Sequence, residues 1–228
     1  MMRHREYIVS IQIYILDALG NLKSQRDLLR KYTRLTVRKV QRKITLDNID
    51  IVIKENETPE IYKDIDGIGG YCPSGHFVQL SIDINHPSFQ MSPGKIIEKT
   101  LIHELHHAAR MQAGILMNRG SFLEYLFSEG LADYFVYELT GSLGKWIPAL
   151  NAEYKIRLMR RVKRKSSKNF TNKDHQDWFI KGSKDQQIPQ FTGYAIGFEV
   201  VKSLLTRNPD KSAASLVMTP VEEIVPLF

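Results

Sequence analysis

Residues 103–107 read His103-Glu104-Leu105-His106-His107, which puts three of the chain's seven histidines within five positions. On an α-helix, residues four apart share a face, so His103 and His107 can offer two imidazoles to one ion. This is the spacing of H-E-x-x-H zinc sites. His103 and His106, three apart, form a second possible pair, but that pairing leaves the neighbouring glutamate without its usual role. Glu104 follows the first histidine, about 100° round the helix, at the mouth of such a site. From there a carboxylate can take a proton from an attacking water and deliver it to a leaving amine. His106 is then the extra histidine, assigned to the surroundings of the metal ligands or to packing.

A catalytic zinc usually has three protein ligands and keeps one position for water. Cys72 is the sole cysteine, so no thiolate cluster supplies the third ligand and no internal disulfide forms. Carboxylates on the following segment can supply it. Glu124 lies 17 residues beyond His107 and Glu129 lies 22 beyond, and spacing alone admits either. Asp133 shares a helix face with Glu129 and can accept the second ring N–H of a liganding histidine, which fixes its tautomer and orientation. Arg110, two turns from His103 on the same face, is expected to form a salt bridge.

Such groups need rigid elements to hold them. Val9, Ile11, Ile13 and Ile15 alternate with Ser10, Gln12 and Tyr14, which predicts a strand over 7–16. Arg3, His4 and Arg5 before it imitate an export signal, but Ser10 and Gln12 break the apolar run and Asp17-Ala18-Leu19-Gly20 is a poor cleavage site. A helix over 22–43 would bury Leu28, Leu29, Tyr32, Leu35 and Val40, and Ile49–Ile53 reads as a second strand. Strand–helix–strand order favours a crossover between parallel neighbours. Residues 59–75, including Asp66-Gly67-Ile68-Gly69-Gly70-Tyr71, read as a glycine-rich turn region, and 76–84 as a third strand. Ser92 and Pro93 predict the start of the His103 helix, which ends near Gly114; a helix over 121–140, closed by Gly141, carries Glu129. Another helix from about Pro148 runs into a basic segment, the stretch around His175 reads as a solvated loop, and 192–207 as a last helix. The expected fold is α+β in one domain spanning 1–228: a small mixed sheet within 1–90, then a mainly helical part over 91–228.

The net charge of +7 is concentrated. Segment 23–43 carries nine basic residues and 155–168 carries eight, leaving the rest of the chain net acidic. Solvated helix faces are the plain reading; contact with an anionic membrane or polyanion through these segments is the other. Neither has the interleaved aromatics of a single-strand platform, and no nucleic-acid motif is present. No apolar run approaches the roughly 20 residues of a membrane span. A cytoplasmic location is the expectation.

His103-Glu104-x-x-His107 followed by Glu129-Gly130-x-Ala132-Asp133 resembles the gluzincin metallopeptidases. It is most similar to a family of predicted zinc-dependent proteases with an H-E-x-H-H helix and an E-G-L-A helix (domain of unknown function 2268), most clearly over 64–140. The resemblance implies a zincin-like fold, Zn2+ held by His103, His107 and Glu129, Glu104 as general base and then acid, and a peptide or protein substrate. The E-G-x-A pattern, with its Asp133 partner, favours Glu129 over Glu124. It also suggests a strand edge that pairs with extended substrate, either Phe77–Ile84 or Gly69-Gly70-Tyr71. An oxyanion donor is suggested too: Tyr194, flanked by Gly193 and Gly197, is the first candidate and His175 the second. Other readings are a zinc hydrolase of a non-peptide amide, or a non-catalytic, metal-stabilised protein that binds polyanions or membrane through its basic helices.

Overall fold

A computed structural model describes residues 10–57, 63–115, 121–165 and 169–224. The chain enters as β1 (Ile11–Leu16), crosses through α1 (Arg26–Gln41), and returns as β2 (Ile49–Glu55), parallel to β1. Then come β3 (Ile68–Ser74) and β4 (Phe77–Ile82), joined as an antiparallel hairpin, with β4 parallel to β2. The sheet order is β1-β2-β4-β3. Helices follow: α2 (Pro87–Met91), α3 (Pro93–Gln112), α4 (Phe122–Thr140), α5 (Ala152–Lys165), α6 (Asn172–His175), α7 (Thr192–Arg207) and α8 (Val221–Ile224). The fold is mixed α+β, with an N-terminal four-stranded sheet followed by helices.

Periodicity explains where these elements lie. β1 alternates half-buried isoleucines with exposed residues, as a strand covered on one face must. β2, inside the sheet, buries Ile49, Ile51 and Ile53 completely or nearly so. α3 packs on β3, β4 and α1 on one side and on α4 on the other, so it is buried nearly all round from Ile96 to Arg110. α4 lies between α3 and α7. Ser121 caps α4 by accepting from the Glu124 backbone N–H at 3.2 Å, and Gly141 closes it in the left-handed region, φ 69°. One connected apolar core runs through sheet and helices, from Leu22 to Val221.

Several expectations need correction. Residues 68–74 are an edge strand rather than a turn; their glycines mask the strand signal, and only the approach to it, Asp66 and Gly67 at positive φ, is a turn. β4 is paired on both edges, by β2 and by β3, so Phe77–Ile84 is not a free edge, whereas Gly69-Gly70-Tyr71 lies on one. Leu35 is 50 % exposed, and α1 instead buries Thr33, Thr36 and Val37. Ser92 occupies the N-cap position of α3 without a side-chain cap. His175 is no solvated loop residue: it ends α6, leads into a single π-helical turn (Gln176–Ile180), and packs against Tyr125, Phe170 and Phe179. Four basic residues of the two basic segments pair with acids of the same chain, as Arg26–Asp17, Lys39–Glu98, Lys155–Glu199 and Lys165–Asp174. The first part of the expected strand, residues 7–9, lies outside the described residues, as do 166–168 of the second basic segment. Among the described residues no helix is long and apolar enough to cross a membrane.

Candidate metal centre

α3 and α4 face each other with their polar residues inward, which an apolar helix pair tolerates only if those residues find partners. His103 and His107, one turn apart on α3, bring their Nε2 atoms to 2.9 Å, with the rings edge-on. From α4, Glu129 Oε2 lies 3.0 Å from His103 Nε2 and 3.3 Å from His107 Nε2. All three residues are buried, and their ligand atoms lie within 4.8 Å of one another. One turn further along α4, Asp133 Oδ1 accepts from His103 Nδ1 at 2.9 Å, which leaves Nε2 to face the cluster. Asp133 also accepts from the Trp146 indole N–H at 2.8 Å. His107 Nδ1 and Asp133 Oδ2 are buried without hydrogen-bond partners.

The charges follow from this packing. Burial works against charge on His103, but Asp133 and Glu129 outweigh it and hold its pKa well above the ordinary imidazole value. His107 is pushed down by burial, against the pull of Glu129. Burial would raise Glu129, yet the two imidazoles hold it far below the usual carboxylate range. Glu104 goes the other way: burial, reinforced by the Glu129 and Asp133 charges and opposed by His103, lifts its pKa to about 7.

The donor set fits a zinc ion. Bonds of about 2.0–2.1 Å at tetrahedral angles separate ligand atoms by about 3.3 Å, and the observed separations of 2.9, 3.0 and 3.3 Å fall within a few tenths of that. Two imidazole nitrogens and a carboxylate oxygen converging in a buried site are a poor arrangement for any purpose except sharing protons or a cation. The sequence matches a family model described as predicted Zn-dependent protease (domain of unknown function 2268) over residues 29–226. The chain belongs to this family. It is also 30% identical over 155 residues to "Uncharacterized protein YjfC" of Bacillus subtilis (strain 168), an overlap of 61% of this chain and 49% of that protein. The chain thus spans about half the length of this curated relative. No solved structure matches it.

In this member of the predicted Zn-dependent proteases, the other residues singled out by sequence divide cleanly. Glu124 is engaged elsewhere: it accepts from Arg110 at 2.6 Å, from Ser128 Oγ at 2.8 Å and from the Val221 backbone N–H at 3.1 Å. Among the described residues the carboxylate that groups with the two imidazoles is Glu129 rather than Glu124, and Arg110 makes the expected salt bridge. His106 Nε2 lies 3.4 Å from the Ala213 carbonyl oxygen and its ring packs against Phe135. Tyr194 comes in from α7, its ring centred 6.2 Å from that of His103. α7 approaches this closely because Gly130 and Gly197 meet at the crossing, where a Cβ on Gly130 would lie 2.3 Å from the Gly197 carbonyl oxygen. Glu104 rests on β3: a Cβ on Gly70 would meet its Oε1 at 2.4 Å. Two site neighbours escaped the sequence reading. Tyr125 lies beside the Glu129 carboxylate, whose charge together with burial raises its phenol pKa far above normal; its place four residues before Glu129 was the signal. Trp146 arrives from the loop after α4, and no spacing rule points to it.

Proposed function

We propose that this protein is a zinc-dependent peptidase of the gluzincin type on a zincin-like fold, with His103, His107 and Glu129 as metal ligands. The observation that carries this reading is the convergence of those three donor atoms in a buried site with Glu104 beside them. Zinc, when bound, supplies Lewis acidity that polarises a carbonyl and lowers the pKa of water. Asp133 holds His103 in the tautomer that presents Nε2. Glu104, with a pKa lifted by burial to about 7, is suited to exchange protons near neutrality. It takes the proton of the water that attacks the peptide carbonyl and passes it to the departing amine nitrogen. The Tyr194 phenol, whose pKa burial and the Glu129 charge raise well above normal, keeps its proton and donates a hydrogen bond to the developing oxyanion. An extended peptide lies along the free edge of β3 at Gly69-Gly70-Tyr71.

The decisive experiment pairs metal analysis with Glu104→Gln. Wild-type protein should hold one zinc per chain and cleave peptides, and the variant should keep its zinc and lose turnover by on the order of 10²–10⁴-fold. Protein with no stoichiometric metal, or a variant with full activity, contradicts the reading.

A further inference from the structure

Beside the metal cluster, a cavity of about 240 Å³ opens between β3, α3, α7 and the loop after α4. Ligand pockets for whole small molecules run to roughly 300–1,000 Å³, so this one suits a single large side chain. His103 and Glu104 form one side of it, and the remaining wall is mainly apolar: Ile65, Ile68, Trp146, Ile180 and Phe191. Among the described residues no lysine, arginine or aspartate lines it, so a charged side chain entering would give up its hydration for a wall whose carboxylate, that of Glu104, is committed to the proposed proton transfer.

The wall is also built to hold still. Leu143, Lys145 and Trp146 are each tied to a different element: Lys99 donates to the Leu143 carbonyl at 2.8 Å, Lys145 pairs with Asp66 at 2.5 Å, and the Trp146 indole donates to Asp133 at 2.8 Å. Gly144 is required for this fold-back, since a Cβ there would meet the Trp146 ring at 2.4 Å. Phe191, opposite, is held in the left-handed region at φ 59°, a backbone strain that a large side chain accepts only where surrounding packing imposes it. Preformed walls of this kind reduce the ordering cost of binding.

We propose that this cavity receives one large apolar side chain of the substrate, from a residue flanking the bond to be cut, with Trp146 as the specificity-determining wall. The proposal rests on the peptidase reading above. Trp146 has a second duty in it: through Asp133 the same indole steadies His103, so the surface that selects the side chain is bonded to the support of a metal ligand.

The test uses the zinc-loaded full chain and a peptide series differing at one position among Leu, Phe, Lys and Asp. Leu and Phe peptides should exceed the charged ones in kcat/KM by roughly 10- to 100-fold. Ile65→Arg should invert that ratio in favour of Asp, a change of preference that mere misfolding does not produce. Trp146→Phe keeps an apolar wall but lacks the N–H donor, so the preference should persist while kcat falls. Independently of turnover, metal-free protein should bind N-acetylphenylalaninamide, seen as a change in tryptophan fluorescence that Trp146→Phe removes, and should ignore N-acetylaspartamide. Cleavage of all peptides at one rate, with no selective amide binding, would overturn the pocket assignment and leave the peptidase reading standing. Absence of cleavage of any peptide by zinc-loaded protein would overturn both.

Discussion

Gly70 occupies the point where strand backbone and the Glu104 carboxylate come together, and a methyl group there meets only the movable end of a side chain. Gly70→Ala should therefore displace Glu104 rather than unfold the protein. We expect a loss of stability of about 1 kcal/mol and a fall in kcat/KM on the order of 10²-fold, the scale of an ångström-sized misplacement. Thermal melts read beside peptide kinetics check this; a variant that loses stability and activity in step contradicts it. His103 gives a second prediction. In the metal-free protein Asp133 and Glu129 overcome the effect of burial and keep His103 protonated at neutral pH, whereas burial leaves His107 neutral. A metal takes the imidazole only in its neutral form, so His103 must give up its proton on binding. Zinc affinity should therefore fall as pH drops below the raised His103 pKa, by about tenfold per unit. Titration calorimetry in buffers of different ionisation enthalpy should find close to one proton released, and no release would contradict the assigned charge states.

At the scale of elements, the crossing of α4 and α7 is set by two glycines with no side chain between them. Gly130→Ala places a methyl against the Gly197 carbonyl, which is backbone and cannot swing aside. The helices must separate, at a cost of roughly 1–3 kcal/mol, and Tyr194, one turn before Gly197, moves with α7. Both the melting temperature and kcat should fall; a melting temperature equal to wild type would show that the crossing tolerates the methyl. The glycine of the E-G-L-A pattern is thus explained by contact between helices rather than by chemistry. α3, α4 and α7 were legible because caps, closing glycines and helical periodicity agree over long stretches. β3 was not, since the glycines that admit Glu104 are the residues that make a strand look like a turn. His103 and His107 were legible because their four-residue spacing on one helix fixes their geometry, whereas spacing left Glu124 and Glu129 both open and only the E-G-x-A pattern with its Asp133 partner favoured Glu129. Trp146 was not legible, because a loop places it, and sequence separation from Asp133 carries no information about a loop's path.

Across the whole molecule, the helices that carry the cluster are braced from behind by residues far along the chain. Arg110, fully buried, donates to the Leu216, Val217 and Thr219 carbonyls at 3.3, 3.3 and 3.1 Å, while Glu124 accepts from the Val221 N–H. Breaking a buried pair by removing one partner leaves the other charged without compensation, which costs about 3–5 kcal/mol. Arg110→Met should lower the unfolding free energy by that amount in a denaturant titration, and a near-neutral result would mean that Glu124 finds protons or water unaided.

That brace also imposes an order in time. During synthesis the ligands on α3 and α4 leave the ribosome well before residues 213–221, and domains fold as units once their segments are available. Until the late segment arrives, Arg110 and Glu124 lack the backbone groups they hold, and the two helices lack their backing. A nascent chain therefore carries His103, His107 and Glu129 before the brace behind them is in place, and on the proposed peptidase reading cutting activity should begin only after the late segment has been made.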